Sequence, residues 1–161
     1  MKDIILNTLA NNARITITDL ANVINEDPSI IKESIKELED NKIICGYHTI
    51  INWSKTSSEK VQAIIQVSSK PTKDFGYDDV ALKIANNPEV SDLYLMSGRY
   101  EFTVIINGKT MKEVANFVSS KLAPIEGVTG TVTSFVLTRY KINGSNVELE
   151  PKVDNRLLVT P

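Results

Sequence analysis

Apolar side chains in the first 45 residues recur at the spacing of three short helices. On an α-helix, positions three, four and seven apart lie on one face, so such a stripe marks the side that packs inward. The first stripe is followed by Asn11 and Asn12, which favour turns over helix interiors. The three stripes consist of Ile5, Leu6 and Leu9, then Leu20, Ala21 and Ile24, and finally Ile31, Ile35 and Leu38.

Helix starts are marked before the second and third stripes. Thr16 and Asp19 have the T-x-x-D form of a capping box, in which the threonine oxygen accepts a hydrogen bond from the amide three residues later. Asp27 followed by Pro28 is typical of an N-cap and a first-turn proline. A short turn is therefore predicted to join the second and third helices.

An apolar, extended run follows the third helix. It comprises Ile43, Ile44 and residues 47–51, which could pair as a small β wing. Three short helices followed by such a wing are the pattern of a winged helix-turn-helix.

Beyond Lys60 the apolar period changes from helical to alternating. Val61, Ala63, Ile65 and Val67 share one face, as in a half-buried strand. Later strands are predicted at 90–96, 101–107 and 128–141, and helices at 76–87 and 110–123. On the second of these helices the predicted buried residues are Met111, Val114, Ala115, Val118 and Leu122.

The order β-α-β-β-α-β predicts a four-stranded antiparallel sheet with both helices on one face, the ferredoxin-like arrangement. The predicted fold class is therefore α+β, with an N-terminal winged helix-turn-helix and a C-terminal ferredoxin-like sandwich. Something must cover the other face of the sheet. The predicted divisions are 1–50 for the winged helix-turn-helix, 51–60 for a hinge strand, 61–141 for the ferredoxin-like domain and 142–161 for a tail that returns to the sheet or reaches a partner chain.

Charge and composition narrow the classes of function. The net charge is −2, and residues 1–60 hold seven Lys and Arg against nine Asp and Glu. This acidic excess counts against non-specific wrapping of DNA.

The N-terminus does not resemble a signal peptide and no run of 18 apolar residues occurs, so we expect a soluble cytoplasmic protein. With one histidine and one cysteine, no structural zinc site is expected, and Cys45 between apolar neighbours is expected to be buried and unreactive.

Several segments in this order resemble the leucine-responsive/asparagine-synthase regulator (Lrp/AsnC) family. In the N-terminal half they are RITITDLA, DPSIIKESIKELE and IICGYHTIIN, at residues 14–21, 27–39 and 43–52. In the C-terminal half they are NPEVSDLYLMSGRYEFTVII, KTMKEVANFVSSKLAPIEGV and the T-x-T strand that follows, from residue 87 onwards. The match runs through nearly the whole chain.

The resemblance implies a sequence-specific transcriptional regulator that binds double-stranded DNA. It also implies dimers formed by pairing sheets face to face, which commonly join into octamers, and a small-molecule effector, often an amino acid. By position, the effector region includes the link between the second and third strands, namely Ser97, Gly98, Arg99, Tyr100 and Glu101. Thr133 and Ser134 on the last strand are further candidates, whose hydroxyl groups could contact an effector. From the residues alone, Gly98 is equally well explained by a turn that needs positive φ or close backbone approach. Thr133 and Ser134 are equally well explained as ordinary strand residues.

The leading turns of the third helix are predicted to enter the major groove, since acidic residues are concentrated towards its rear. The predicted DNA-binding residues are Thr18, Ser29, Ile30, Lys32, Glu33 and Lys36. Few of them are basic, so we expect salt-sensitive binding of modest intrinsic affinity that depends on assembly.

Two other functions fit parts of the sequence. The first is a metabolite-sensing or partner subunit that kept the fold and lost DNA binding, which the acidic N-terminal half favours. The second is an enzyme, because a group of tetrapyrrole decarboxylases resembles the same family. We expect no enzyme and no cofactor, because the sequence contains no nucleophile-base pair, metal cluster or glycine-rich phosphate loop.

Overall fold

A computed structural model describes residues 1–58, 60–71 and 76–148. The chain divides into two compact units, Met1–Ile50 and Ile51–Pro161. Within the described ranges, no helix combines the length and the apolar character needed to cross a membrane.

The N-terminal unit contains three helices, α1 (Lys2–Asn11), α2 (Ile17–Ile24) and α3 (Pro28–Asp40). Their apolar stripes meet in one core, as the spacing predicts. The fully buried side chains of this core are Ile5, Leu20, Ala21, Ile31 and Leu38. Burying a side chain the size of Ile or Leu contributes about 1.5–3 kcal/mol, so this small core is the main source of stability for the unit.

α3 ends in a Schellman motif. Lys42 has a left-handed φ of 58°, its amide donates to Glu39 O at 3.0 Å, and the amide of Ile43 donates to Leu38 O at 2.9 Å. These two bonds satisfy carbonyl groups that the end of a helix otherwise leaves without partners.

The predicted β wing is not formed in this chain. Residues 43 and 44 are bends and residues 45–51 are irregular backbone without a strand, and of this segment only Ile44 packs against the helical core. Ile43, Tyr47 and Ile50 remain exposed. An apolar pattern predicts a surface to be covered, whereas a strand also needs a second segment to pair its backbone groups, and this unit supplies none among its described residues.

Cys45 lies in this same segment, and its predicted burial is wrong. The thiol is exposed, and its Sγ donates to Lys42 O at 3.1 Å. The apolar neighbours on which the prediction rested are largely exposed themselves.

The C-terminal unit has the predicted βαββαβ order. Its four-stranded sheet has the strand order β2-β3-β1-β4, and every neighbouring pair is antiparallel. After α5 the chain continues as a π-helix at Val118–Leu122. The elements are β1 (Val61–Ser69), α4 (Asp78–Ala85), β2 (Val90–Leu95), β3 (Phe102–Gly108), α5 (Met111–Phe117) and β4 (Val128–Phe135).

The core of this unit lies between the sheet and its two helices. The predicted inward face of β1 is confirmed, with Ala63, Ile65 and Val67 at 0% exposure. The other buried members are Val80, Ile84, Phe102, Val104, Ile106, Val114, Phe117 and Leu122.

The predicted buried face of α5 needs correction. Met111 is 57% exposed and Phe117 is buried instead, while Ala115 is exposed. Met111 is the first residue of the helix, with its side chain beyond the edge of the core. The π-helix that follows α5 contributes Leu122 to the same buried core.

Gly127, just before β4, occupies a position that requires glycine. Its φ is 96°, and a Cβ there would lie 2.8 Å from Val80 Cγ2 and 3.3 Å from Lys70 O. The amide of Lys70 donates to Gly127 O at 2.8 Å, which holds this turn against the end of β1.

The sheet face opposite the helices is open within the described residues. Ile64 (38% exposed), Val132 (44%) and Tyr94 (49%) lie on it, interspersed with polar side chains such as Gln66 and Ser134. The strand register fixes this arrangement, because Ile64 is opposite both Ser134 and Ile105, and Gln66 is opposite Val132.

The last strand is shorter than predicted, and the chain then folds back on itself. A two-residue hairpin pairs β5 (Lys141–Ile142) with β6 (Ser145–Asn146). Asn143 and Gly144 form its turn, with left-handed φ values of 43° and 84°. Val147 then accepts a hydrogen bond from Asn52 Nδ2 at 2.8 Å, so this part of the predicted tail packs on residues of the predicted hinge. Residues 149–161, including the RLLVTP segment, lie outside the described residues.

Candidate nucleic-acid interface and effector region

A three-residue turn joins α2 and α3 and fixes the direction in which α3 leaves. Asn25 has a left-handed φ of 60° and serves as the C-cap of α2, with its amide donating to Ala21 O. Two residues later Asp27 is the N-cap of α3. This is the geometry of a helix-turn-helix, in which the second helix is the one presented to a groove.

Both predicted caps are present. Thr16 Oγ1 accepts from the Asp19 amide at 3.1 Å and donates to Asp19 Oδ2 at 2.6 Å. Asp27 Oδ1 accepts from Ser29 Oγ at 2.5 Å and from the Ser29 amide at 2.8 Å. These side chains determine where α2 and α3 begin.

The Asp27 cap makes the start of α3 sensitive to acid. The bond from the Ser29 hydroxyl, followed by the bond from the Ser29 amide, lowers the pKa of the Asp27 carboxyl below its usual value. The ionised Asp27 carboxylate therefore stabilises the start of α3 fully above the usual carboxyl pKa of about 4. This stabilisation is lost as the pH falls through the lowered pKa that Asp27 has in the folded chain.

All six predicted DNA-binding residues, Thr18, Ser29, Ile30, Lys32, Glu33 and Lys36, are exposed. Ile30 is 43% exposed, which makes it available for apolar contact with a thymine methyl group. The Ser29 hydroxyl is committed to Asp27, so it retains only acceptor capacity. The structure places these residues on one unit; their contacts with DNA stay a prediction.

Two acidic residues of α3 have side-chain partners, one a cation and one a neutral hydroxyl group. Lys2 Nζ lies 2.7 Å from Glu37 Oε1, and the Tyr47 hydroxyl donates to Glu39 Oε1 at 2.9 Å. Both members of the ion pair are about half exposed, so the pair contributes less than about 1 kcal/mol to stability. Its larger consequence is to reduce the negative charge on the rear half of the helix.

Lys32 and Lys36 have no partner among the described residues and remain available for phosphates. Arg14 is a third candidate, which the sequence pattern alone did not single out for DNA contact. It is exposed in the turn before α2, where its amide donates to Asn12 Oδ1 at 3.1 Å and its guanidinium has no partner in the described part of the chain. Its position immediately before the Thr16 cap is the signal that could have identified it.

The link between β2 and β3 carries five of the predicted effector residues. The Met96 amide donates to Glu101 O at 2.8 Å, and this hydrogen bond joins the two ends of the link. Ser97, Gly98 and Arg99 are exposed, and Tyr100 is half-buried. The Arg99 guanidinium carbon lies 5.6 Å from the centre of the Tyr100 ring.

The backbone of this chain does not require glycine at position 98. Gly98 is absent from the glycines with positive φ, and a Cβ built on it meets nothing within 4 Å. Neither of the two conformational explanations for this residue applies within a single chain.

Glu101 has a structural contact that the sequence did not indicate. Its Oε2 accepts from the Ser69 amide at 2.7 Å, while its own amide donates to Val67 O at 3.1 Å. Glu101 thus joins the start of β3 to the end of β1. One carboxylate oxygen is already used, which leaves Oε1 for any ligand.

Thr133 and Ser134 do not join the link in one site. They pair with Ile65 and Ile64 respectively, so they point to opposite faces of the sheet. β1 and β3 also separate their strand from β2. Within one chain, the link and these two residues therefore belong to strands that are not neighbours.

Neither of two cavities in the described part of the C-terminal unit is lined by a predicted effector residue. The larger, of about 640 Å³, lies between residues 52–62 and 136–148 and is lined in part by Trp53, Lys60 and Arg139. Lys60 Nζ is 3.7 Å from the centre of the Trp53 ring. The smaller, of about 250 Å³, lies between the end of β3, α5 and the start of β2. Nowhere in the described ranges do three metal-binding side chains gather in a group.

Comparison with known proteins finds the same two-part architecture. The profile of the Lrp/AsnC ligand binding domain matches residues 62–145. The HTH-type transcriptional regulator YugG of Bacillus subtilis is 37% identical over 158 residues, which cover 98% of this chain and 95% of that protein. The HTH-type transcriptional regulator LrpA of Pyrococcus abyssi is 33% identical over 138 residues, which cover 86% of this chain and 95% of that protein.

Solved structures of transcriptional regulators have a similar fold. Transcriptional regulator NMB0573 of Neisseria meningitidis, solved as a complex with L-Met, is similar with a TM-score of 0.68 and 28% identity, covering 92% of this chain and 94% of that one. Escherichia coli AsnC is similar with a TM-score of 0.64 and 22% identity, covering 88% of this chain and 93% of that one. At that lower identity the likeness concerns the fold alone.

Proposed function

The chain belongs to the Lrp/AsnC family of transcriptional regulators, and from this premise we propose that it binds specific DNA sites through α3 and responds to a small metabolite through its C-terminal unit. Its relatives are regulators rather than enzymes. The proposal names a DNA-binding helix, an effector region and a mode of self-association.

The leading turns of α3 carry the DNA part of the proposal. The Asn25 and Asp27 caps fix a three-residue turn, and beyond it Lys32 and Lys36 present ammonium groups that no described residue pairs. Lysines that contact phosphates release condensed counterions, which supplies affinity that falls with salt. Arg14, in the turn before α2, adds a third cation.

A free amino acid is the proposed class of effector. The matched family domain is described as ligand binding, and the relative from Neisseria meningitidis was solved with L-Met. In this chain the β2-β3 link offers the Arg99 guanidinium for a carboxylate and Glu101 Oε1 for an ammonium group. Thr133 or Ser134 of a second copy would complete the site.

The proposed assembly is a homodimer through the open sheet face, with dimers joining into an octamer. Ile64 and Val132 are each more than a third exposed on that face, and covering them removes apolar surface from water. Assembly also places several copies of α3 on one particle. Once one copy is bound, another copy meets the same DNA at high effective concentration.

The test is a gel shift with the DNA upstream of the protein's own gene, at low and at physiological salt, with and without each of the twenty amino acids. We expect a retarded complex that weakens steeply with salt and changes with one or a few amino acids. Light scattering on the same samples gives the assembly state.

A sensor that has lost DNA binding is the second candidate. The excess of acidic residues in the first 60 positions favours it, because a DNA-binding surface is ordinarily basic. Amino-acid-dependent assembly without any retarded complex at low salt would select this second candidate.

A further inference from the structure

Glu33 lies at the centre of the outward face of α3. At about 100° per residue, it points roughly opposite to Ile31 and Leu38, which are 0% and 1% exposed. Ser29 and Lys36 lie beside it on the same face, one turn before and one turn after. If α3 enters a groove by this face, the Glu33 carboxylate is directed at the base edges.

The fold does not use this carboxylate. Two other acidic residues of α3 are explained by contacts, Glu37 with Lys2 and Glu39 with Tyr47. Glu33 has no hydrogen bond or ion pair among the described residues, even though Lys36 is only three positions away. It is therefore free to meet a partner outside the chain.

A free carboxylate on a DNA-binding face weakens binding by repelling phosphates unless it gains a hydrogen bond from a base. A carboxylate can only accept. The major groove offers two amino donors, N4 of cytosine and N6 of adenine. Next to N6, adenine presents the N7 acceptor, which would repel the second carboxylate oxygen, whereas N4 of cytosine has no acceptor beside it on its own ring.

We propose that Glu33 is a specificity-determining residue that accepts a hydrogen bond from N4 of a cytosine in the major groove. The inference rests on the proposed DNA-binding function of α3. Lys32 and Lys36, on either side along the helix, offset the added negative charge by contacting phosphates. Ser29 Oγ, whose proton is held by Asp27, is a second but uncharged acceptor on this face.

The test is selection of binding sites from a library of random duplexes by the full-length chain and two variants. The unmodified chain should enrich a C·G pair at one fixed position of its site. Glu33→Gln should lower that preference by about 5- to 150-fold, the range given by one good base contact. It should shift the preference towards adenine, because glutamine pairs with N6 and N7.

Asp40→Asn is the matched control, since Asp40 also is an exposed acid of α3 but lies at its last residue. Both variants remove one negative charge, so both should bind random DNA more tightly, while the control keeps the C·G preference. A Glu33→Gln variant that binds DNA with unchanged base preference overturns this inference alone. A loss of preference in the control overturns it as well. Failure of the unmodified chain to bind any duplex overturns the proposed function together with the inference.

Discussion

Single side chains set the starts of the helices that carry the DNA-binding face. The Thr16 oxygen accepts from the Asp19 amide. Replacing an N-cap residue of this kind by alanine lowers the free energy of unfolding by about 1 kcal/mol. We expect Thr16→Ala to destabilise α2 by about that amount, seen as faster hydrogen exchange of the α2 amides in the full chain. Thr18→Ala is the control, because Thr18 is exposed and lies inside α2 rather than at its N-cap; equal effects of the two changes would contradict the capping role.

Gly98 and Gly127 differ in whether the fold requires glycine at that position. Gly98 has open space around it, whereas Gly127 has positive φ and a Cβ there would lie 2.8 Å from Val80. We expect Gly98→Phe to leave the urea unfolding of the C-terminal unit unchanged and to alter assembly or the effect of an amino acid. Gly127→Ala should destabilise the unit by more than about 1 kcal/mol. If Gly98→Phe instead destabilises the unit as Gly127→Ala does, position 98 has a structural role within the chain.

At the scale of elements, α3 is expected to supply much of the salt dependence of DNA binding. Replacing Lys32 and Lys36 together by alanine should weaken binding. It should also flatten the slope of log K against log salt by about one for each phosphate that the variant can no longer neutralise. Fluorescence anisotropy over a range of salt concentrations measures both quantities. Replacing the exposed Lys109 and Lys112 together by alanine is the control, because it also removes two positive charges but in the C-terminal unit. An unaltered slope in the Lys32 and Lys36 variant would place the phosphate-binding residues elsewhere.

The sequence predicts most elements because their period follows from burial. Ile31 and Leu38 on α3, and Ile65 and Val67 on β1, repeat at the helical and alternating spacings, and all four are buried. The caps at Thr16 and Asp27 were predictable because they act over three residues or fewer.

What the sequence missed depends on distant or irregular geometry. One omission is local: Phe117 lies three positions after the buried Val114 and therefore on the same face of α5, whereas Ala115 is exposed. The bond from the Ser69 amide to Glu101 joins residues 32 positions apart. The wing at 43–51 needed a pairing segment, and an apolar pattern does not reveal whether one exists.

At the scale of the whole molecule, the open sheet face is expected to hold two copies together. Changing Ile64 and Val132 to Asp would place two like charges in the proposed dimer interface, where desolvation of charge is costly. We expect light scattering to show a fall to monomer mass and a matching loss of DNA affinity. Leu82→Asp, on the helix side and 64% exposed, should change neither. Unaltered mass in the double variant would contradict this interface.

The exposure of Cys45 makes the chain directly suited to thiol chemistry. The sequence holds one cysteine, so a maleimide fluorophore attaches once per chain without any prior mutagenesis. The labelled position precedes the division between the two units by five residues. Mixing donor-labelled and acceptor-labelled copies would then report subunit exchange, and how fast a metabolite alters it, in real time.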